Sequence, residues 1–372
     1  MGRENQNTAC SFGAHYILGQ VQHLEDGIGN GLSQGDSETI HSMRIASRRL
    51  RNYFRLFKNC IPGEKQKGWQ DEISRITRTL SKARDLDIQI NLLNQLYENH
   101  LDMEFKPGYK RLLLRLKQQR GRAQEKVEKT IKRLQEEDIL VGIHNYFNEL
   151  ATVAENMPDN DLALYEQAYA LINQPLEVFL SYQQYVDSPD NADKLHAMRI
   201  AGKDLRYSME IFAPLYGHAL QAHIQIMNEI QELLGEFHDN HVWVTWLPKF
   251  IEEEQVRIRD FYGDDGLIKR LLPGLQHLIE DRKKAQEENY LSFVSTWEIL
   301  MDEKAWQVLK EILRSRLKGI PAADGTTSEG KVIPDHAAQV CEDEYVEFEI
   351  ELTPEQTDSN PDSPATSSNP EN

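Results

Sequence analysis

His41-Ser42-Met43-Arg44-Ile45-Ala46-Ser47-Arg48-Arg49-Leu50-Arg51-Asn52-Tyr53-Phe54-Arg55-Leu56-Phe57-Lys58 reads as one helix with two faces. His41, Arg44, Arg48, Arg51, Arg55 and Lys58 fall at steps of three, four, three, four and three. That spacing aligns side chains along one side of an α-helix. At about 1.5 Å per residue the stripe is about 26 Å long. Beside it run Met43, Ala46, Leu50, Tyr53 and Phe57, an apolar stripe suited to burial. Packing that stripe on other helices would aim the basic one in a fixed direction. Like charges at these spacings destabilise an isolated helix by about a few tenths of a kcal/mol per pair. A polyanion is the simplest partner that would offset the cost.

The stretch recurs. Residues 41–46, His-Ser-Met-Arg-Ile-Ala, and residues 196–201, His-Ala-Met-Arg-Ile-Ala, agree at five of six positions with an offset of 155. The basic stripe returns as His196, Arg199, Lys203 and Arg206. Downstream, Leu80-Ser81-Lys82-Ala83-Arg84-Asp85 aligns with Leu234-Gly235-Glu236-Phe237-His238-Asp239 at an offset of 154. Two separated matches at nearly one offset predict a duplicated unit of about 150 residues, too long for a solenoid repeat and suited to a helical bundle.

Leu, Glu, Gln, Lys and Arg dominate, and Gly and Pro are sparse before residue 319, so the composition favours helix. Expected helices lie near 11–33, 66–100, 108–135, 138–154, 161–186, 195–207, 219–246, 248–261, 264–290 and 292–317. Ile17, Val21, Leu24 and Ile28 give the first of them an apolar side. The expected divisions are a polar, disordered 1–9, a first bundle over 10–156, a second over 157–318, and an acidic disordered tail over 319–372. Only residues 345–352 of the tail alternate as a strand would.

The net charge of −18 hides a polarity. Residues 41–135 hold 23 Lys and Arg against 10 Asp and Glu, whereas residues 319–372 hold one Lys against 13 acids. The first half therefore carries a basic field despite the acidic total. Cys10, Cys60 and Cys341 have no motif spacing and fit a reducing compartment without a disulfide framework. No apolar run approaches the length of a membrane span, and no signal-peptide core opens the chain. The expectation is a cytoplasmic protein with no membrane contact.

The pair His-x-x-Arg-x-x-x-Arg-Arg-Leu-Arg at 41–51 and His-x-x-Arg-x-x-x-Lys-x-Leu-Arg-Tyr at 196–207 resembles the motifs of the CHAD family, the conserved-histidine α-helical domains. Arg84-Asp85 and His238-Asp239 stand where that family has its second motif. The resemblance spans about residues 10–318. It implies an all-α fold of two four-helix bundles related by a pseudo-twofold, with a basic groove or pore between them that binds inorganic polyphosphate. It further implies a binding module, not an enzyme; polyphosphate granules are a candidate location that the sequence does not decide. By position, the ligand-facing residues it implies are His41, Arg44, Arg48, Arg49 and Arg51, then His196, Arg199, Lys203 and Arg206. The chain departs from the first copy at His238, opposite Arg84, and at Glu210, opposite Arg55, so the second half is expected to make fewer phosphate contacts.

Other cations join by spacing alone. Arg75, Arg78 and Lys82 repeat the three-four step on another helix, and Arg115, Arg122, Lys126, Lys129 and Arg133 line a further face. Of these, Arg75, Arg78, Lys82, Arg122 and Lys126, with Arg55, complete the expected site. A solvated, salt-bridged helix face is the bland account of such charges. Six basic groups in register without an acid among them favour anion binding, for which the planar guanidinium is well shaped. A nucleic acid ranks second as partner, because no aromatic ladder interleaves the basic stripe. Metal-dependent hydrolysis of polyphosphate or triphosphate around His238-Asp239-Asn240-His241 ranks third, since the other histidines nearby, His218 and His223, form no ligand spacing. Asp85 and Asp239 are expected instead to orient Arg or Lys or to cap a helix. No phosphate loop, nucleophile elbow or activated cysteine is present, and no cofactor is expected. Trp243, Trp246, Trp297 and Trp306 read as core.

Overall fold

A computed structural model describes residues 3–29, 37–99, 101–152 and 162–318. It is all-α, with no strand among the described residues. The helices are α1 (Arg3–Gly29), α2 (Ser37–Leu56), α3 (Gly63–Glu98), α4 (Lys106–Glu136), α5 (Ile139–Ala151), α6 (Leu162–Leu180), α7 (Ala192–Tyr216), α8 (Gln221–Tyr262), α9 (Gly266–Asp302) and α10 (Ala305–Leu317). None is long and apolar enough to cross a membrane. The Gly-rich break after α1, the linker at 157–161, and the 319–372 tail with its alternating segment lie outside the described residues.

The packing order repeats. α2 lies on α1 and α3, α3 on α4, and α1 on α5. In turn α7 lies on α6 and α8, α8 on α9, and α6 on α10. In each series four longer helices are followed by one of 13 residues. The residues before those short helices, Asp138 and Lys304, are the described non-glycine residues with positive φ, 49° and 56°. Across the series like meets like: α1 packs on α6, α2 on α7 and α4 on α9. Such self-complementary pairing is the pattern of an isologous contact.

Close approach of α4 and α9 depends on Pro107-Gly108 and Pro273-Gly274, a match at offset 166 that lies outside both motifs. A Cβ on Gly108 would lie 2.5 Å from the Leu271 carbonyl oxygen and 2.9 Å from the Leu275 nitrogen. A Cβ on Gly274 would overlap the Phe105 carbonyl oxygen and lie 2.9 Å from its carbon. Each glycine thus admits the backbone of the other helix. His277 stacks on Phe105 at 4.2 Å between centroids, and its Nδ1 is 3.1 Å from the Tyr109 hydroxyl.

The buried apolar side chains form one connected cluster through both series. Phe12 of α1 stacks on Phe212 of α7 at 5.5 Å, and Phe212 also meets Phe57 at 6.3 Å. Trp243, Trp246, Trp297 and Trp306 are buried, as their spacing suggested.

Several boundaries differ from the sequence expectation. α1 begins at Arg3, so the described residues within 1–9 are helical, not disordered. The chain there is tied down at Cys10, whose Sγ is bonded to that of Cys60. This corrects the expectation of unpaired cysteines and removes the cysteine-based case for a reducing compartment. The bridge joins α1 to the turn after α2 across 50 residues. Closing such a loop lowers the entropy of the unfolded chain by an equivalent of about 4 kcal/mol in the chain-entropy account. Pro248 does not split α8, because Trp243, Trp246, Leu247 and Phe250 bury the helix on both sides of it. The last break falls at Lys304, since Tyr290, Phe293 and Trp297 keep one buried face running through the expected division at 291.

Candidate functional site

α2 is covered by α1 and α3 and also by α7, so its basic stripe is not a solvated face. His41, Arg44 and Arg48 are buried, Arg49 and Arg51 are half-buried, and Arg55 and Lys58 are exposed. On α7, Arg199, Lys203 and Arg206 are buried and His196 is half-buried. Guanidinium suits such positions because it is more weakly hydrated than ammonium. The stripe therefore dips inward at its N-terminal end and surfaces at its C-terminal end.

Where α2 meets α7, cations of both series share one ring. The guanidinium carbons of Arg48 and Arg206 lie 5.6 and 4.9 Å from the centroid of Tyr207. A ring face attracts cations electrostatically, which lets two of them converge. Arg206 also donates from Nη1 to Asn228 Oδ1 at 2.6 Å and lies 3.4 Å from Glu210 Oε1. Arg55 donates from Nη1 to Asp204 Oδ2 at 2.6 Å, bridging α2 to α7, and from Nη2 to Asn52 Oδ1 at 2.7 Å.

The second motif lies on the helix after each basic one. Arg84 of α3 donates from Nη1 to Ser37 Oγ at 3.0 Å, at the start of α2, and Asp85 beside it is buried. In the second series the His238 ring stacks on His196 with centroids 3.9 Å apart. Burial, then the positive field of His196, Arg199, His241 and Lys203, pushes the His238 pKa down to about 2. Burial pushes the Asp239 carboxyl well above its ordinary range, against the pull of Arg199 and Lys203. Asp239 thus faces cations of α7 electrostatically. Among the described residues no cluster of three His, Cys, Asp or Glu is arranged to hold a metal ion.

The depressed His238 value has a stability consequence. Below pH 6.5 the unfolded chain binds a proton that the folded one refuses. Stability from this group is complete above that pH and falls as pH drops, by up to about 1.4 kcal/mol per pH unit. Urea titrations from pH 7.5 to 5 should show His238→Gln with a shallower slope than wild type, by about one proton. Equal slopes would remove the assignment.

The outer cations divide. Arg78 and Lys82 of α3 and Arg122 and Lys126 of α4 are exposed. α3 and α4 run antiparallel, with Thr79 against Thr130 at 3.5 Å and Arg120 on Asp87 at 2.7 Å, which brackets Lys82 and Lys126 on adjoining turns. Arg75, by contrast, pairs with Glu72, and Arg133 lies 3.6 Å from the same carboxylate and 2.7 Å from Glu137. Arg115, with Arg111, is held by Glu254 of α8. Arg75 is thus already engaged, unlike the free phosphate ligand its spacing suggested.

Tyr207, Asn228 and Asp204 belong to this region, and spacing did not single them out. Tyr207 ends the basic motif at 196–207, but the basic motif at 41–51 is followed by Asn52, so the comparison of the two concealed it. A carboxylate opposite Arg49 by offset, at Asp204, was visible as a departure between copies.

Comparisons with known proteins agree with this architecture. A family model described as the CHAD domain matches residues 15–248. Among solved structures, the crystal structure of the CHAD domain from the plant Ricinus communis superposes with a TM-score of 0.52 at 20% identity, covering 85% of this chain and 93% of that one. PptA from Streptomyces chartreusis superposes with a TM-score of 0.50 at 15% identity, covering 78% of this chain and 99% of that one. No curated protein sequence matches the chain.

Proposed function

The chain belongs to the CHAD family, and from that premise we propose that it binds inorganic polyphosphate, without turnover, along the basic helices α2 and α7. The observation that carries this reading is the convergence of Arg48 and Arg206 on Tyr207, one cation from each series. It is backed by the buried Arg44, Arg199 and Lys203 on the same two helices. A linear chain of phosphates offers a charge on every unit, so several guanidiniums and ammoniums can be satisfied at once. The covered setting of these cations favours a slim polymer without bases or sugars. The exposed Arg78, Lys82, Arg122 and Lys126 would raise the local concentration of such a chain. Location on polyphosphate granules would follow from binding.

Titration with long-chain sodium polyphosphate tests the reading. Affinity should fall roughly 100-fold between about 50 and 200 mM salt, as when about four phosphates are neutralised. Arg49→Gln/Arg51→Gln should weaken binding by about tenfold or more and flatten the salt slope. These half-buried positions are better probes than Arg44 or Arg199, whose replacement would disturb the interior. RNA displacing polyphosphate at equal phosphate concentration would replace polyphosphate by nucleic acid as the partner. Release of orthophosphate with added magnesium or manganese would make the protein an enzyme.

A further inference from the structure

We propose that Asp204 is a built-in counter-anion of the basic site: it holds Arg55 until a polyphosphate chain arrives, and so sets how tightly that chain binds. The inference rests on the function proposed above.

The two basic helices are not equal copies. Counted at the repeat offset, Asp204 stands opposite Arg49 and Glu210 opposite Arg55. Both acids meet arginines. Asp204 Oδ2 accepts from Arg55 Nη1 at 2.6 Å across the α2–α7 contact, and Glu210 Oε1 lies 3.4 Å from Arg206 Nη1. Arg51 and Lys203 also act on Asp204 electrostatically, so one carboxylate faces cations from both helices.

Stability does not account for the Arg55–Asp204 pair. Its side chains are 51% and 31% exposed, and ion pairs in such settings contribute little. Burial moreover holds the Asp204 carboxyl above its ordinary range, against the pull of Arg55, Arg51 and Lys203. Folding therefore works against the charge on Asp204 instead of drawing on it. What the carboxylate does is lower the net positive charge at the C-terminal, exposed end of the α2 stripe. Arg55 already has an oxyanion on one Nη and the Asn52 amide oxygen on the other. An incoming phosphate competes with Asp204 for Arg55, and it meets repulsion from that carboxylate at Arg51 and Lys203. Glu210 plays the same part toward Arg206 more weakly, at its longer distance.

The test is a binding cycle with long-chain sodium polyphosphate on the full chain, read by calorimetry at several salt concentrations. Asp204→Asn should tighten binding about fivefold to tenfold and steepen the salt slope by about one counterion. Arg55→Gln should cost little in the wild-type background and about fivefold more in the Asp204→Asn background, where Arg55 has been released. Equal or weaker binding by Asp204→Asn overturns the proposal while leaving the function standing. An absence of binding throughout the set, wild type included, overturns the function and this inference together. If Asp204→Asn fails to fold by far-UV dichroism, Arg55→Gln and Arg51→Gln decide. The proposal expects the smaller loss at Arg55, and an equal or larger loss there overturns it.

Discussion

Gly274→Ala is expected to destabilise the protein by about 3 kcal/mol, although alanine is the better helix former. In an open helix interior the same change usually gains about 0.5–1 kcal/mol, because glycine loses more backbone freedom on folding. At Gly274 the new methyl would overlap the Phe105 carbonyl oxygen, which is backbone and cannot turn aside. Relief requires α4 and α9 to separate, and the Phe105–His277 stack and the Tyr109–His277 contact would separate with them. Overpacking of this kind costs about 1–3 kcal/mol, and rigid obstacles put it at the upper end. Gly121, mid-way along α4, has nothing within 4 Å of where a Cβ would stand and provides the control. Gly121→Ala should stabilise while Gly274→Ala destabilises, both measured by guanidinium denaturation. Two changes of the same sign would mean that the helices do not cross at backbone contact.

Glu254→Gln carries the second large effect. The Glu254 side chain is fully buried between α4 and α8, where Arg111, Arg115 and Arg257 donate to it. Burial alone would raise its pKa, but the hydrogen bonds from Arg115 and Arg111 and their positive field outweigh this and hold it below the ordinary value. Amidation would leave three guanidiniums around a neutral group. Breaking a fully buried pair costs about 3–5 kcal/mol. Here the arginines keep 25–34% of their surface, so screening reduces the expected loss to about 2 kcal/mol. The pH dependence follows from the depressed value. The contribution of Glu254 is complete above its unfolded pKa, near 4.5, and disappears as pH falls through the lower folded value. Glu254→Gln should therefore lose stability most at neutral pH and converge on wild type in acid. A constant difference at all pH values would show that packing, not charge, is responsible.

Glu254 also explains an asymmetry between the series. At the offset of the second motif, α3 ends opposite residue 252, whereas α8 continues to Tyr262. The extra turns carry Glu254, which fastens α4 to the second series, and Arg257, which pairs with Glu254 on the same helix. The first copy has no counterpart, and nothing in the motif spacing marks the extension.

Helicity, the repeated order of basic helices and the buried face of α2 were all legible from residue type and spacing. They are local properties: a period of 3.6 and a composition poor in Gly and Pro specify a helix without reference to distant residues. The recurrence of the motif linked two distant stretches of sequence, and the helices that carry them, α2 and α7, pack on each other. Which cations remain available to an anion could not be read this way. Six basic groups run along residues 41–58 without an acid among them, the last, Lys58, lying in the turn after α2, yet Asp204 reaches Arg55 from 149 residues away. Arg115 is held by Glu254 across 139 residues, and Cys10 finds Cys60 across 50. Burial of Arg44 and Arg48 likewise depends on other helices, α1, α3 and α7, covering a face that α2 alone would leave in water, with Tyr207 of α7 lying against Arg48. Helix pattern is set within a few turns of chain, whereas charge pairing and burial are set by which helices meet, and that is decided only when the whole core closes.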